Sequence, residues 1–292
     1  MSRQNPRLSA FIRVPFSAPR FLPLAPRLLP LTPRSLPLAS CLLLLASCLL
    51  LLSACSPADR LDRILETGVL RVGMDASYPP FEYIDGEGNL VGLDVDLGRE
   101  LAARLGVEAR FVANLSYDGL YDALTADVVD VVISALYVDP TRMADFAYSY
   151  SYFNAGQVLV VRTGTTDIRA MADLAGRTLA VEWGSEGDVV ARQWARRLAS
   201  LTVLPSGTAE EALARVASGE ADAAVVDHLS ALQAIGKGMP LRTVGEMLTD
   251  EPYAIAVRRE DGALLRAVNG ALTAMEEDGT LPRLRQSWLG GP

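Results

Sequence analysis

An α/β fold with mainly parallel sheets is predicted by two observations. Beyond residue 58, strand and helix signals alternate to the C-terminus, which places helices on the faces of parallel sheets. This body of about 235 residues is long enough for one large domain or two lobes. It contains no cysteine, so its core must hold without disulfides.

The elements follow in order. Residues 69–74 are a short apolar run, read as a strand. Residues 93–105 place Leu97, Leu101 and Leu105 at helical spacing and stop before Gly106. Residues 109–113 read as a strand and 117–124 as a helix. The continuous β-branched run at 128–136 predicts a buried strand. Further strands are expected at 178–182 and 221–226, and helices at 185–198 and 208–218. The second of these helices opens on Thr208-Ala209-Glu210-Glu211, a capping-box pattern. A strand at 253–257 precedes two closing helices at 264–277 and 281–288.

Charge divides the chain in two. Residues 1–54 carry six Arg and no acid, so the body holds all 35 acids against 21 bases. An acidic body excludes nucleic-acid binding, which needs a basic face. Residues 35–58 carry no charge and are rich in Leu, long enough for a membrane span or the core of an export signal. The sequence Leu52-Ser53-Ala54-Cys55 resembles a bacterial lipobox, whose Cys becomes the lipidated first residue of the mature protein. Leu38-Ala39-Ser40-Cys41 and Leu45-Ala46-Ser47-Cys48 share its form. Cys55 is preferred because it alone has the full apolar stretch before it and polar sequence after it. The competing reading is a retained anchor helix; either way the body faces outward. The expected division is a leader at 1–54 and a lipidated Cys with linker at 55–59.

Catalytic chemistry is sparse. The body has one His, His228, so Cys–His pairs are absent and a Ser–His–Asp triad would need that one residue. A structural role for His228 is the expectation. No HExxH motif, Walker loop or GxGxxG after a strand occurs, and no metal or cofactor is expected.

Nine segments then converge in order. These are LDRILETGVLRVGM, Tyr78-Pro79-Pro80-Phe81, GLDVDL from Gly92, DVVISAL from Asp130, Pro140-Thr141-Arg142, YSYSYFNAGQ from Tyr148 with LAGRTLAVEWGS from Leu174, ADAAVVD from Ala221, and DGTLPRLRQSWLG from Asp278. Together they resemble the family 3 extracellular solute-binding proteins, the polar amino-acid receptors of ABC importers. The resemblance implies two α/β lobes of the type II periplasmic binding-protein fold, joined by two crossovers near residues 155–157 and 252–256. Lobe one would be 60–154 plus 256–292, and lobe two 158–250, with the ligand enclosed by hinge closure.

The resemblance also implies a site. A buried amino acid needs a fixed cation, hydrogen-bond donors and a fixed anion. Arg142 matches the residue that takes the α-carboxylate, and a guanidinium does so bidentately. Asp227 matches the acceptor for the α-ammonium; its alternative role is to cap the next helix. Tyr78 and Tyr117 match an aromatic pair around the ligand side chain. Ser134 and Ala135 match a strand-end pair facing the ammonium. Gly184 and Ser185 open a helix whose N–H groups and dipole favour the carboxylate. Departures stand at Tyr137, where a small hydroxyl residue is usual, at Ala135, and at Glu186, where Thr is common. Asp75 and Glu186 point to a cationic amino acid, the alternative being that both are solvated.

The function implied is a monomeric, lipid-anchored periplasmic receptor that delivers an amino acid to a membrane permease. The alternatives are a dehydratase-type enzyme on the same fold, with Glu186 as its acid, and a sensory binding domain.

Overall fold

The computed structural model describes residues 59–290. The leader, Cys55 and the lipidation signal lie outside the described residues.

The chain runs α1 (Arg60–Thr67), β1 (Val69–Gly73), β2 (Ser77–Tyr78), β3 (Glu82–Ile84), β4 (Leu90–Val91), α2 (Leu93–Leu105), β5 (Glu108–Val112), α3 (Leu120–Thr125), β6 (Val131–Val132), β7 (Phe146–Asn154), β8 (Gln157–Arg162), β9 (Thr178–Glu182), α4 (Glu186–Ala195), β10 (Thr202–Ser206), α5 (Ala209–Ser218), β11 (Ala223–Asp227), α6 (His228–Gly236), β12 (Leu241–Val244), β13 (Pro252–Arg258), α7 (Gly262–Glu277) and α8 (Thr280–Leu289). Two five-stranded sheets result, in the orders β5-β1-β6-β13-β7 and β10-β9-β11-β8-β12; β2, β3 and β4 form a small third sheet.

The fold is two-lobed α/β, and each large sheet is mixed. Parallel pairing holds for β5-β1-β6 and for β10-β9-β11. One strand of each sheet, β13 in the first and β8 in the second, runs against the other four, so the sheets are mainly parallel, as expected. The cause is connectivity. These are the two strands that enter a sheet from the other one, β8 directly after β7 and β13 directly after β12, with no helix between to reverse the chain.

Apolar burial accounts for each layer. Leu93, Leu97 and Leu101 of α2 pack with Leu70 and Val72 of β1 and with Val268, Leu272 and Met275 of α7. In the second sheet, Val158, Ala224 and Val226 meet Ala212, Leu213 and Val216 of α5, and Leu179, Val181 and Val225 meet Val190 and Ala191 of α4 on the opposite face. Thr208 caps α5 by accepting from the Glu211 N–H, while the Glu211 carboxylate reaches the N–H of Gly207 rather than that of Thr208.

The run at 128–136 is a strand only over β6. Val128 is exposed and Asp127 takes a left-handed φ of 58°. At the other end Ala135 takes φ 42°, which turns the chain out of the sheet. Asp130 anchors the start of this run, accepting from the N–H and guanidinium of Arg71 and from Arg60.

The chain passes between the large sheets twice, from Asn154 to Gln157 and from Val244 to Pro252. The two passages touch. Asn154 Oδ1 accepts from the N–H groups of Gly156 (2.9 Å) and Glu251 (3.0 Å), and Gln157 N–H donates to Thr249 Oγ1. Gly156 is required by this approach, because a Cβ there would lie 2.1 Å from the Thr249 carbonyl oxygen. His228 belongs to this packing: its Nδ1 donates to the Asn154 carbonyl at 2.9 Å and its ring stacks on Phe153.

Candidate functional site

The loops at one end of the first sheet, together with β13, enclose a cavity of about 420 Å³. It is lined by Asp75, Ser77, Tyr78, Glu82, Tyr117, Ser134, Ala135, Tyr137 and Tyr253. Six of the residues named from the sequence therefore meet on one surface: Asp75, Tyr78, Tyr117, Ser134, Ala135 and Tyr137.

Backbone and side chains hold these walls in place. Tyr78 stacks parallel on the buried Phe81, with centroids 5.7 Å apart. The Tyr117 N–H donates to Asp75 Oδ2 at 3.1 Å, so this carboxylate both faces the cavity and fixes the start of the Tyr117 turn. Tyr137 meets the edge of Tyr253 at 4.9 Å and accepts a long hydrogen bond of 3.3 Å from its hydroxyl. Ser134 is buried; its hydroxyl donates to Glu82 Oε1 at 2.8 Å and accepts from the Asp75 N–H at 3.0 Å. That proton is unavailable to a ligand. Burial raises the phenols of Tyr78 and Tyr117 above their ordinary value, and the Asp227 carboxylate adds to the push on Tyr78, so both stay neutral.

Five residues named from the sequence do not line this cavity. Arg142 ends a short 3₁₀ turn and lays its guanidinium over the Tyr121 ring at 4.3 Å, with Asp139 beside it at 3.4 Å. It lines a neighbouring cavity that shares Tyr117 and Tyr137 with the first. Asp227 ends β11 and caps α6, accepting from the Ser230 N–H at 2.8 Å. Ser185 caps α4 and spends its hydroxyl there, on the Asp188 N–H and the Glu182 carbonyl. The Gly184 N–H is taken by Asp188 as well. Glu186 is exposed on the first turn of α4.

Ser77, Glu82 and Tyr253 were not anticipated. Glu82 follows the Tyr78-Pro79-Pro80-Phe81 motif directly, but its neighbours in the sequence give no sign that it turns inward. Tyr253 reaches the cavity only because β13 pairs beside β6 and β7.

The comparisons with known proteins agree with this architecture. Residues 70–291 match the family described as bacterial extracellular solute-binding proteins, family 3. The L-cystine-binding protein TcyJ of Escherichia coli K12 is 33% identical over 232 residues, covering 79% of this chain and 86% of that protein. Among solved structures, the L-cystine solute receptor of Neisseria gonorrhoeae in its unliganded open conformation is 27% identical with a TM-score of 0.70, covering 79% of this chain and 96% of that one. An ancestral cyclohexadienyl dehydratase variant is 29% identical, also at a TM-score of 0.70, covering 80% and 98%. With the family matched over most of its length, and with its two mixed sheets and twin crossovers, this chain belongs to the bacterial extracellular solute-binding proteins of family 3.

Proposed function

We propose that the cavity beside the first sheet is the landing face for an amino acid, which closure of the two lobes about the crossovers then encloses. As a member of its family the chain is the solute-binding component of an ABC-type amino-acid importer, and it works outside the cytoplasm. The observation that carries the site reading is the convergence of Asp75, Tyr78, Tyr117, Ser134, Ala135 and Tyr137 on one cavity. In this reading Arg142 leaves Tyr121 to take the α-carboxylate, Asp227 takes the α-ammonium, and Ser185 and Glu186 close over the ligand from α4. Tyr78 and Tyr117 flank the side chain. The permease of the importer is the partner that receives it.

Asp75 on the cavity wall supports a cationic side chain. A second reading, cystine, is supported by the names of the two similar cystine-binding proteins. Titration calorimetry of the body against arginine, lysine, ornithine and cystine separates them. Tighter binding of the cationic amino acids supports the first reading and tighter binding of cystine the second; no binding below millimolar to any common amino acid overturns the site.

The anchor is a further part of the proposal. Lipidation of Cys55, supported by the Leu52-Ser53-Ala54-Cys55 sequence, would hold the receptor at the membrane. Cys55→Ala should then move the protein from the membrane fraction to the soluble one. Unchanged fractionation removes the lipid anchor.

A further inference from the structure

Two carboxyl groups, Glu82 on the cavity wall and Asp94 outside its lining, are not used by the ligand reading. Glu82 and Asp94 are 1% and 0% exposed. Among the described residues neither takes part in any ion pair. Two buried carboxylates without a cation would repel each other at great cost.

Their hydrogen bonds show how the cost is avoided. Glu82 Oε1 accepts from the Ser134 hydroxyl at 2.8 Å. Asp94 Oδ2 accepts from the Ala135 N–H at 2.6 Å and the Tyr152 hydroxyl at 2.8 Å. One oxygen of each, Glu82 Oε2 and Asp94 Oδ1, is buried with no other partner. The two carboxyls thus reach consecutive residues, Ser134 and Ala135, from β3 and α2. A single proton shared between them would satisfy both orphan oxygens and remove one of the two charges.

The backbone enforces this meeting. Gly92 lies against Phe81 and Glu82, where a Cβ would sit 2.0 Å from the Phe81 carbonyl oxygen. The Asp94 N–H donates to that same carbonyl at 2.9 Å, which brings the start of α2 onto the Glu82 strand.

We propose that Glu82 and Asp94 form one carboxylic acid–carboxylate unit that positions the Ser134–Ala135 turn for the ligand: Glu82, neutral, orients Ser134, and Asp94, ionised, holds Ala135 in its left-handed conformation. This rests on the reading that the cavity receives the ligand. Glu82 is thus a positioning residue and carries no charge for the ligand to meet. The groups facing the pair are all acidic or phenolic: Asp75, Tyr152 and, beyond them, Tyr78, Tyr117 and Tyr253. Burial first, and then the negative Asp94, hold the Glu82 carboxyl well above the ordinary carboxylate range. Burial also raises Asp94, against the lowering effect of the Ala135 N–H and the Tyr152 hydroxyl.

The test uses Glu82→Gln, whose amide reproduces the neutral acid: its oxygen accepts from Ser134 and its N–H₂ donates to Asp94. The ligand-free readout is thermal stability against pH. Wild type should lose stability relative to Glu82→Gln as pH rises from neutral into the alkaline range, because the folded state alone keeps the Glu82 proton there. Parallel pH profiles overturn the shared proton. Carbon NMR of wild type labelled at the Glu side-chain carboxyls gives the same answer without a variant. One Glu carboxyl should show the shift of a neutral acid at pH 7; all-ionised shifts overturn the proposal.

The second readout is affinity for the tightest-binding amino acid of the calorimetric panel. Wild type should lose affinity relative to Glu82→Gln as pH rises from neutral into the alkaline range. A loss of tenfold or more at pH 7 means that an ionised Glu82 contacts the ligand, and overturns the positioning role. Affinities that track each other across pH also overturn it, leaving the pair structural. Failure to find any ligand would strike the function reading, while the stability and NMR results would still decide the shared proton.

Discussion

Arg142 lays its guanidinium over the ring of Tyr121 at 4.3 Å, outside the cavity that Tyr117 and Tyr137 help to line. Asp139 also pairs with the Arg142 Nε at 3.4 Å, three residues away on the exposed face of the same turn. Such a cation–π contact at a partly exposed site is worth about 0.5–1 kcal/mol, little enough for a ligand carboxylate to compete. Arg142→Ala is expected to weaken amino-acid binding by about tenfold or more, given that a hydrogen bond to a charged group contributes roughly 1.5–3 kcal/mol. Arg142→Lys should restore little, because an ammonium does not form the bidentate pair. Calorimetry on both variants checks this, and an unchanged affinity removes Arg142 from the site.

Asp227 allows charge and capping to be separated. Its carboxylate accepts from the Ser230 N–H at the start of α6, and Asn caps helices as well as Asp does. Asp227→Asn should therefore keep thermal stability within about 0.5 kcal/mol of wild type while weakening ligand binding about tenfold. Equal losses of stability and affinity would show Asp227 to be a cap and nothing more.

Gly156 tests the contact between the two passages. An added Cβ meets the backbone oxygen of Thr249 at 2.1 Å, and backbone cannot rotate aside as a side chain can. Gly156→Ala should cost about 1–3 kcal/mol, as overpacking does, and lower the melting temperature by about 2–4 °C for each kcal/mol. A melting temperature equal to that of wild type would show that the passages separate freely.

Asp130 carries a prediction in acid. It is buried and accepts from Arg60 and from both the backbone and side chain of Arg71, and these partners lower its carboxyl below the ordinary value against the opposing effect of burial. A lowered folded value means that this stability is present above the unfolded carboxyl range and is lost as pH falls through the folded one. Asp130→Asn should destabilise at neutral pH by about 1.5–3 kcal/mol, because Arg60 and Arg71 lose a charged hydrogen-bond partner while Asp127 and Asp261 still pair with Arg60. The variant should also show a shallower loss of stability in acid than wild type. Melting curves between neutral pH and pH 2 measure both.

Much of the fold was legible because its signals were local. Leucines at helical spacing delimit α2, and Gly106 ends it in the left-handed region. The apolar run at 178–182 is β9. The strand expected at 128–136 shrank to two residues, since β-branched composition reports burial and carries no information on pairing. Strands β7, β8, β10 and β12 and helices α1 and α6 were not separated from their surroundings. Three of those strands, β7, β8 and β12, pair antiparallel with partners that depend on how the chain crosses between sheets. In the site, motif residues were readable one by one. The burial of Glu82 and Asp94 was not, because it depends on α2 meeting β3 at Gly92, and no spacing rule marks a carboxyl that will be buried without a cation.

The cavity has a kinetic consequence. Every residue lining it lies on the strands or loops of the first sheet and of the small third sheet, and none on the second. A solute can therefore dock on a prebuilt face before any contact comes from the second sheet. Changes to Tyr78, Tyr117 or Tyr137 alter both arrival and departure. Contacts from the far side act only after arrival, so their loss shortens residence time and leaves the association rate constant as it was.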